Sequence, residues 1–149
     1  MLIRGLWSLC DDGINRPVIE GEVLAADGSW LPVEFLADVG ADRTVFTAAV
    51  LATLALPHLP LPHQLAGVGG AASAVAVATH IRLPLGPGAT IAFHGSFAGF
   101  TQTDTLDMCV LGRDIMNLFA VIVDRPGDVV CMIGQGHRMR SQLNHDMPG

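Results

Sequence analysis

The sequence predicts a mostly-β domain, either a barrel or a sandwich, with two short helices. Its 149 residues suit one domain built around a single core. Short apolar runs recur along the chain, and turn signals separate them about every ten residues. We expect an N-terminal extension at 1–16, the folded domain at 17–136 and a polar, frayed tail at 137–149.

The first predicted element is a β-hairpin. Two apolar-rich runs, 17–25 and 30–37, flank an Asp27-Gly28 pair, and Asp-Gly between such runs is a strong hairpin signal. The second run leads directly into Asp38. This aspartate is therefore predicted at the end of a buried strand.

A short strand and a short helix follow. Residues 44–46 are β-branched or aromatic, and Thr47 is placed to cap a helix over 48–55 that Pro57 ends. The segment 57–62 is predicted as a loop. Residues 65–79 are predicted as a hairpin with glycines at its tip.

The second half of the chain predicts further strands and the second helix. Residues 81–85 and 89–93 are predicted as strands joined by a Gly86-Pro87-Gly88 turn, with another strand at 97–101. The remaining predicted elements are a short apolar strand at 108–111, a helix at 113–118, and strands at 119–124 and 129–133.

One pattern occurs twice. Residues 35–42 and 108–114 each run from an apolar strand through glycine and one further residue to aspartate, and each approaches a predicted helix. Two copies of one strand-loop-helix unit, related by a pseudo-twofold axis, would explain this repetition.

Composition narrows the classes of function. Hydrophobic residues make up 50% of the chain and charged residues 15%, against about 25% in ordinary domains. The uncharged stretch 44–81 is too interrupted by proline and glycine to cross a membrane. The eight basic residues are all arginine and leave a net charge of −6, which disfavours a nucleic-acid partner. We expect a soluble, non-secreted, cytoplasmic protein with no membrane partner.

The chain carries no pattern typical of a metal centre or a covalent nucleophile. Its three cysteines are widely spaced, which indicates free thiols, and its six histidines lack metal-ligand spacing. No G-x-S-x-G motif is present, and Cys109 falls in an apolar run that favours a core position. We expect no metal and no cofactor.

Four segments resemble the retropepsin-like aspartic proteases, in the order of that family. Residues 35–45 are similar to the catalytic signature, an apolar strand followed by Asp-Thr/Ser-Gly-Ala, and 67–70 resemble the glycine tip of the flap. Residues 110–114 are similar to the second apolar-apolar-Gly loop, and 119–133 to the C-terminal strand-turn-strand. The resemblance implies an all-β, closed acid-protease barrel that dimerises.

The resemblance also implies a function, that of a homodimeric aspartic endopeptidase. Each chain would supply Asp38, held by the loop Val39, Gly40 and Ala41, and the two aspartates would share one proton and one water. The substrate would be a peptide or protein, hydrolysed without a covalent intermediate and without a metal.

Further roles come from the same resemblance. Asp42 and Arg113 match positions that form an ion pair bracing the active-site loop. Gly67, Val68, Gly69 and Gly70 would form the flap tip and bind substrate through the backbone.

Val39 departs from the family pattern, since the family has threonine or serine there and its hydroxyl links the two subunits. Because valine has no hydroxyl, these hydrogen bonds between the subunits are lost, and we expect a dimer that is weaker or is held together by other contacts.

Three alternatives remain open at this point. Asp38 could be a loop aspartate that caps its own turn. The same dimeric fold could be catalytically weak because of Val39 and serve to bind peptides or to dimerise. The apolar composition alone would also fit a β-barrel that binds small apolar ligands.

Overall fold

The computed structural model describes residues 1–61, 74–103 and 106–134, and its elements are mostly strands. The strands are β1 (Leu2–Arg4), β2 (Leu6–Leu9), β3 (Asn15–Leu24), β4 (Trp30–Ala37), β5 (Val45–Phe46), β6 (Ala74–Gly86), β7 (Ala89–Phe100), β8 (Cys109–Leu111), β9 (Phe119–Asp124) and β10 (Val129–Gly134). The helices are α1 (Ala48–Leu54) and α2 (Arg113–Met116).

Six strands close into a barrel. The larger sheet has the order β2-β3-β4-β8-β5-β7-β6, and a further pairing of β3 with β6 closes the six strands from β3 to β6 into a ring, with β2 attached to β3 outside it. Closure removes the exposed edges that a flat sheet would leave. The predicted all-β, closed barrel with two short helices is therefore confirmed.

A second, three-stranded sheet has the order β1-β10-β9. Leu2 pairs with Ile133 and Arg4 with Cys131, so the N-terminal strand lies beside the last described strand. Strand β2 pairs with the start of β3. Much of segment 1–16 thus takes part in sheet pairing.

The first predicted hairpin is present as β3 and β4. Asp27 accepts hydrogen bonds from Ser29, and Gly28 has a φ of +85°, a backbone conformation that glycine adopts without strain. Thr47 caps α1 as predicted, because its side chain accepts a hydrogen bond from the Val50 N–H at 3.3 Å.

The predicted strand boundaries in the middle of the chain were wrong. Strands 81–85 and 89–93 are parts of two long strands, β6 and β7, which pair along almost their whole length. The predicted strand at 97–101 is the end of β7. His80 and Gly95 do not break the strands, because both are paired across the ladder. His80 lies opposite His94, with their rings 4.4 Å apart, and Gly95 lies opposite Thr79.

The core fills the barrel from the inner faces of these strands. Phe35, Phe46 and Phe97 form a chain of aromatic contacts with ring centroids 6.4 and 6.0 Å apart. Helix α1 closes one side through Leu51 and Leu54, which are both buried. This packing fixes β4, β5 and β8, the strands that carry the candidate site.

Candidate active site

Two parallel strands end side by side at the candidate site. Strand β8 lies between β4 and β5, and Ala37 of β4 is in register with Leu111 of β8. The two loops that follow, which contain Asp38 and Gly112, therefore begin next to each other. These are the two copies of the repeated sequence pattern, and the barrel brings them together.

Asp38 is held firmly at the end of β4. Its N–H donates to the Leu111 carbonyl at 3.2 Å, and its own carbonyl accepts from the Ala41 N–H at 3.1 Å. One carboxylate oxygen, Oδ1, accepts from the Gly40 N–H at 2.9 Å. The side chain is half-buried, so its carboxylate stays accessible while the backbone around it is fixed.

Gly112 allows the segment after β8 to pass close to the backbone of Arg43, in the segment that follows Asp38. A Cβ atom at Gly112 would lie 2.4 Å from the carbonyl carbon and 2.5 Å from the carbonyl oxygen of Arg43. No side chain fits at such a separation, so glycine is required for the close approach. The Arg113 N–H then donates to the Ala41 carbonyl at 2.9 Å.

Thr44 and Asp114 join the two loops by a buried hydrogen-bond network. The Thr44 hydroxyl donates to Asp114 Oδ1 at 2.7 Å and accepts from the Gly112 N–H at 3.1 Å. The Thr44 N–H donates to Asp114 Oδ2 at 3.0 Å, and the Ile115 N–H donates to Oδ1 at 3.0 Å. Thr44 is completely buried, and its bond from the Gly112 N–H is buried with it, while the bonds to Asp114 are partly buried.

Sequence reasoning assigned no role to this network. Asp114 occurs in the repeated pattern, but the pattern alone does not indicate its partner. Thr44 was predicted only as part of a short strand. The signal that could have found the pair is a polar residue directly before an apolar strand, since such a residue must satisfy its hydroxyl when it is buried.

Asp42 and Arg113 form an ion pair in the structure. The Arg113 side chain is 46% exposed and that of Asp42 is 75% exposed. Ion pairs that are this exposed contribute little to stability on their own. The contact nevertheless links the loop after Asp38 to the first residue of α2.

Val39 projects from the loop into solvent. It is 56% exposed and lies directly after Asp38 in the chain. Gly40 and Ala41 complete the loop without large side chains.

The predicted flap tip and the three cysteines differ in whether the structure describes them. Gly67, Val68, Gly69 and Gly70 lie outside them. Cys10, Cys109 and Cys131 are free thiols, and burial raises the pKa of Cys109 although hydrogen bonds with Thr47 oppose this shift. Cys109 therefore contributes to packing below the site.

The described residues offer neither a metal-binding cluster nor a membrane-spanning helix. Within ranges 1–61, 74–103 and 106–134, no three His, Cys, Asp or Glu side chains are grouped so that they could hold a metal ion. In the same part of the chain, the helices are too short or too polar to span a membrane.

Comparison with known proteins identifies the class. A sequence-family model with the description "Aspartyl protease" matches residues 20–115, which include the Asp38 loop, Gly112 and Asp114. The chain therefore belongs to the aspartyl protease family. Its fold is retropepsin-like, as the likeness to one solved retropepsin-like aspartic protease indicates.

Two of these solved structures give the extent of the likeness. A retropepsin-like aspartic protease from Rickettsia conorii has a TM-score of 0.53 and 17% identity, over 89% of this chain and 88% of that one. The EIAV protease in complex with the inhibitor HBY-793 has a TM-score of 0.47 and 22% identity, over 68% of this chain and 86% of that one. No curated protein matches the chain.

Proposed function

We propose that the protein is an aspartic endopeptidase that is active as a homodimer. The observation that carries this proposal is the position of Asp38, a half-buried carboxylate at the end of β4 whose backbone and side chain are both fixed by hydrogen bonds. General acid-base catalysis requires such a rigid and accessible group. Membership of the aspartyl protease family supports the same function.

The proposed mechanism uses Asp38 from both subunits. Two carboxylates a few ångström apart cannot both ionise easily, so the pair holds one proton between them. The ionised Asp38 takes a proton from the attacking water, while the protonated one donates to the carbonyl oxygen of the substrate peptide bond. The two roles arise from one residue because the dimer places two copies on opposite sides of the same water.

The surrounding residues have supporting roles in this proposal. Gly40 donates its N–H to Asp38 and fixes the orientation of the carboxylate. Asp42 and Arg113 brace the loop. Residues 67–70 would serve as the flap over an extended substrate, as the family resemblance implies. The three free thiols suit a reducing compartment, and we propose the cytoplasm.

A second candidate function rests on Val39. Valine cannot make the hydrogen bonds that threonine or serine would make between the subunits, and this one is 56% exposed in the single chain. A dimer with a loosely held dyad would bind peptides and hydrolyse them poorly, because catalytic geometry tolerates little displacement. The two candidates share the fold and differ in turnover.

Cleavage of a mixed peptide library at mildly acid pH tests the proposal. The protein is expected to cleave, and Asp38→Asn is expected to lower the rate by at least about a hundredfold because the general base is lost. The matched control is Asp128→Asn, which removes one exposed carboxylate from the β9–β10 turn. Equal turnover by wild type and Asp38→Asn, or a monomer at high concentration in sedimentation, would contradict the proposal.

A further inference from the structure

A cavity of about 710 Å³ borders the strand that carries Asp38. Leu36 and Val110, which pair across β4 and β8, line its apolar part together with Met108. Leu36 precedes Asp38 by two residues, so both side chains lie on the same face of the chain, about 7 Å apart along the strand. The cavity therefore adjoins the position where the scissile bond is proposed to lie.

The rim of the same cavity is acidic and largely unpaired. Asp11, Glu34 and Asp107 are exposed, and their carboxylates make no hydrogen bond or ion pair with another described residue. Arg16 is the sole base that lines this cavity in the described part of the chain. Both of its terminal nitrogens donate hydrogen bonds to the Asp12 carboxylate, at 2.6 and 2.9 Å, so Arg16 does not neutralise the three unpaired carboxylates.

The shape and the charges select one class of side chain. Glu34 and Leu36 lie on the same face of β4, and both line the cavity. A side chain that runs along this face away from Asp38 therefore meets the apolar Leu36 first and the Glu34 carboxylate next. Lysine and arginine have this order of groups, a long apolar stem and a cation at its end. Glu34 lies on the same face as Asp38 at about 13 Å along the strand, so a short side chain bound beside Asp38 does not reach its carboxylate.

We propose that this cavity is a specificity pocket for lysine or arginine, next to the peptide bond that is cleaved. The inference rests on the proposed function for its placement beside the scissile bond. The apolar residues Leu36, Met108 and Val110 form the floor, the part of the pocket nearest to Asp38. The unpaired carboxylates of Asp11, Glu34 and Asp107 favour a side chain that carries a positive charge. A purely apolar side chain would fill the floor and leave those carboxylates without a partner.

Paired peptides that differ at one position test the pocket. One series places lysine, and the other norleucine, at each position around the cleavage site, so that the two differ only by the ammonium group. We expect lysine to be preferred about tenfold at one of these positions, since each of two partly solvated carboxylates contributes about a factor of three. The preference should fall at high salt because screening weakens exposed charges.

Variants of the rim assign the preference to the cavity. The double variant Glu34→Gln with Asp107→Asn is expected to reduce the lysine preference to about twofold or less. The control Asp128→Asn removes a carboxylate that does not line the cavity and should leave the preference unchanged. All three positions are exposed, so these substitutions leave the core intact.

Binding separates this inference from the proposed function. The same peptide pairs, made non-hydrolysable by a reduced amide at the scissile bond, are titrated into wild type and the double variant. If no peptide is cleaved but lysine still binds more tightly through Glu34 and Asp107, the pocket stands and the enzyme proposal fails. If peptides are cleaved with no preference for lysine, or with one that the double variant retains, the pocket proposal is wrong and the enzyme proposal stands.

Discussion

Replacing Thr44 by valine is expected to lower the free energy of unfolding by about 3 kcal/mol. Valine keeps the shape of this completely buried side chain and removes its hydroxyl. The hydrogen bond to the Asp114 carboxylate is lost, which costs about 1.5–3 kcal/mol for a charged acceptor. The Gly112 N–H also loses its acceptor, and a buried donor without a partner costs about 1–3 kcal/mol.

Urea denaturation at a fixed protein concentration measures this loss. With a slope of about 2 kcal/mol per molar urea, the midpoint should fall by about 1.5 M. Thr44→Ser retains the hydroxyl and should cost clearly less. Thr90→Val, at an exposed position of β7, is the matched control and should change stability by no more than about 0.5 kcal/mol. If Thr44→Val costs no more than the control, the network does not hold the two loops together.

Three further predictions concern the close approach, the dimer and one ion pair. Gly112→Ala should destabilise the fold by about 3 kcal/mol, whereas Gly95→Ala, whose Cβ would meet nothing closer than 3.6 Å, should cost at most about 1 kcal/mol; equal losses would contradict the crossing argument. Val39→Thr should tighten the dimer at least about fivefold through a hydrogen bond of about 1 kcal/mol, and sedimentation equilibrium showing weaker association would refute this. The hydrogen bonds from Arg16 lower the pKa of Asp12 from 3.8 to about 2, so an NMR titration should show that midpoint and Arg16→Gln should return it towards 3.8. Because the folded pKa is depressed, this contribution is present above pH 3.8 and lost as the pH falls through about 2; an unchanged midpoint in the variant would show that Arg16 is not the cause.

Local sequence signals predicted those features that depend on neighbouring residues. The Asp27-Gly28 turn and the Thr47 cap each need only a few adjacent residues, and both are present. The repeated pattern predicted two related strand-loop-helix units, and β4 and β8 do lie in parallel register. Asp38 was identified from its loop and from the family resemblance, while its catalytic role stays a proposal.

Features that depend on contacts between residues far apart in the sequence could not be predicted from local sequence signals. Residues 2–9 form strands because β10 and β3 pair with them, and no local pattern indicates those partners. The long strands β6 and β7 continue past His80 because His94 lies opposite it. The link between Thr44 and Asp114 spans 70 residues, and only the insertion of β8 between β4 and β5 brings the two together.

The separation of the two Asp38 carboxylates in a crystal structure of the dimer tests the central claim most directly. The account predicts that their nearest oxygens lie about 3 Å apart and contact one shared water, as two carboxylates that hold one proton must. Asp38 side chains that lie on separate surfaces of the dimer, or that are too far apart to share a water, would contradict it.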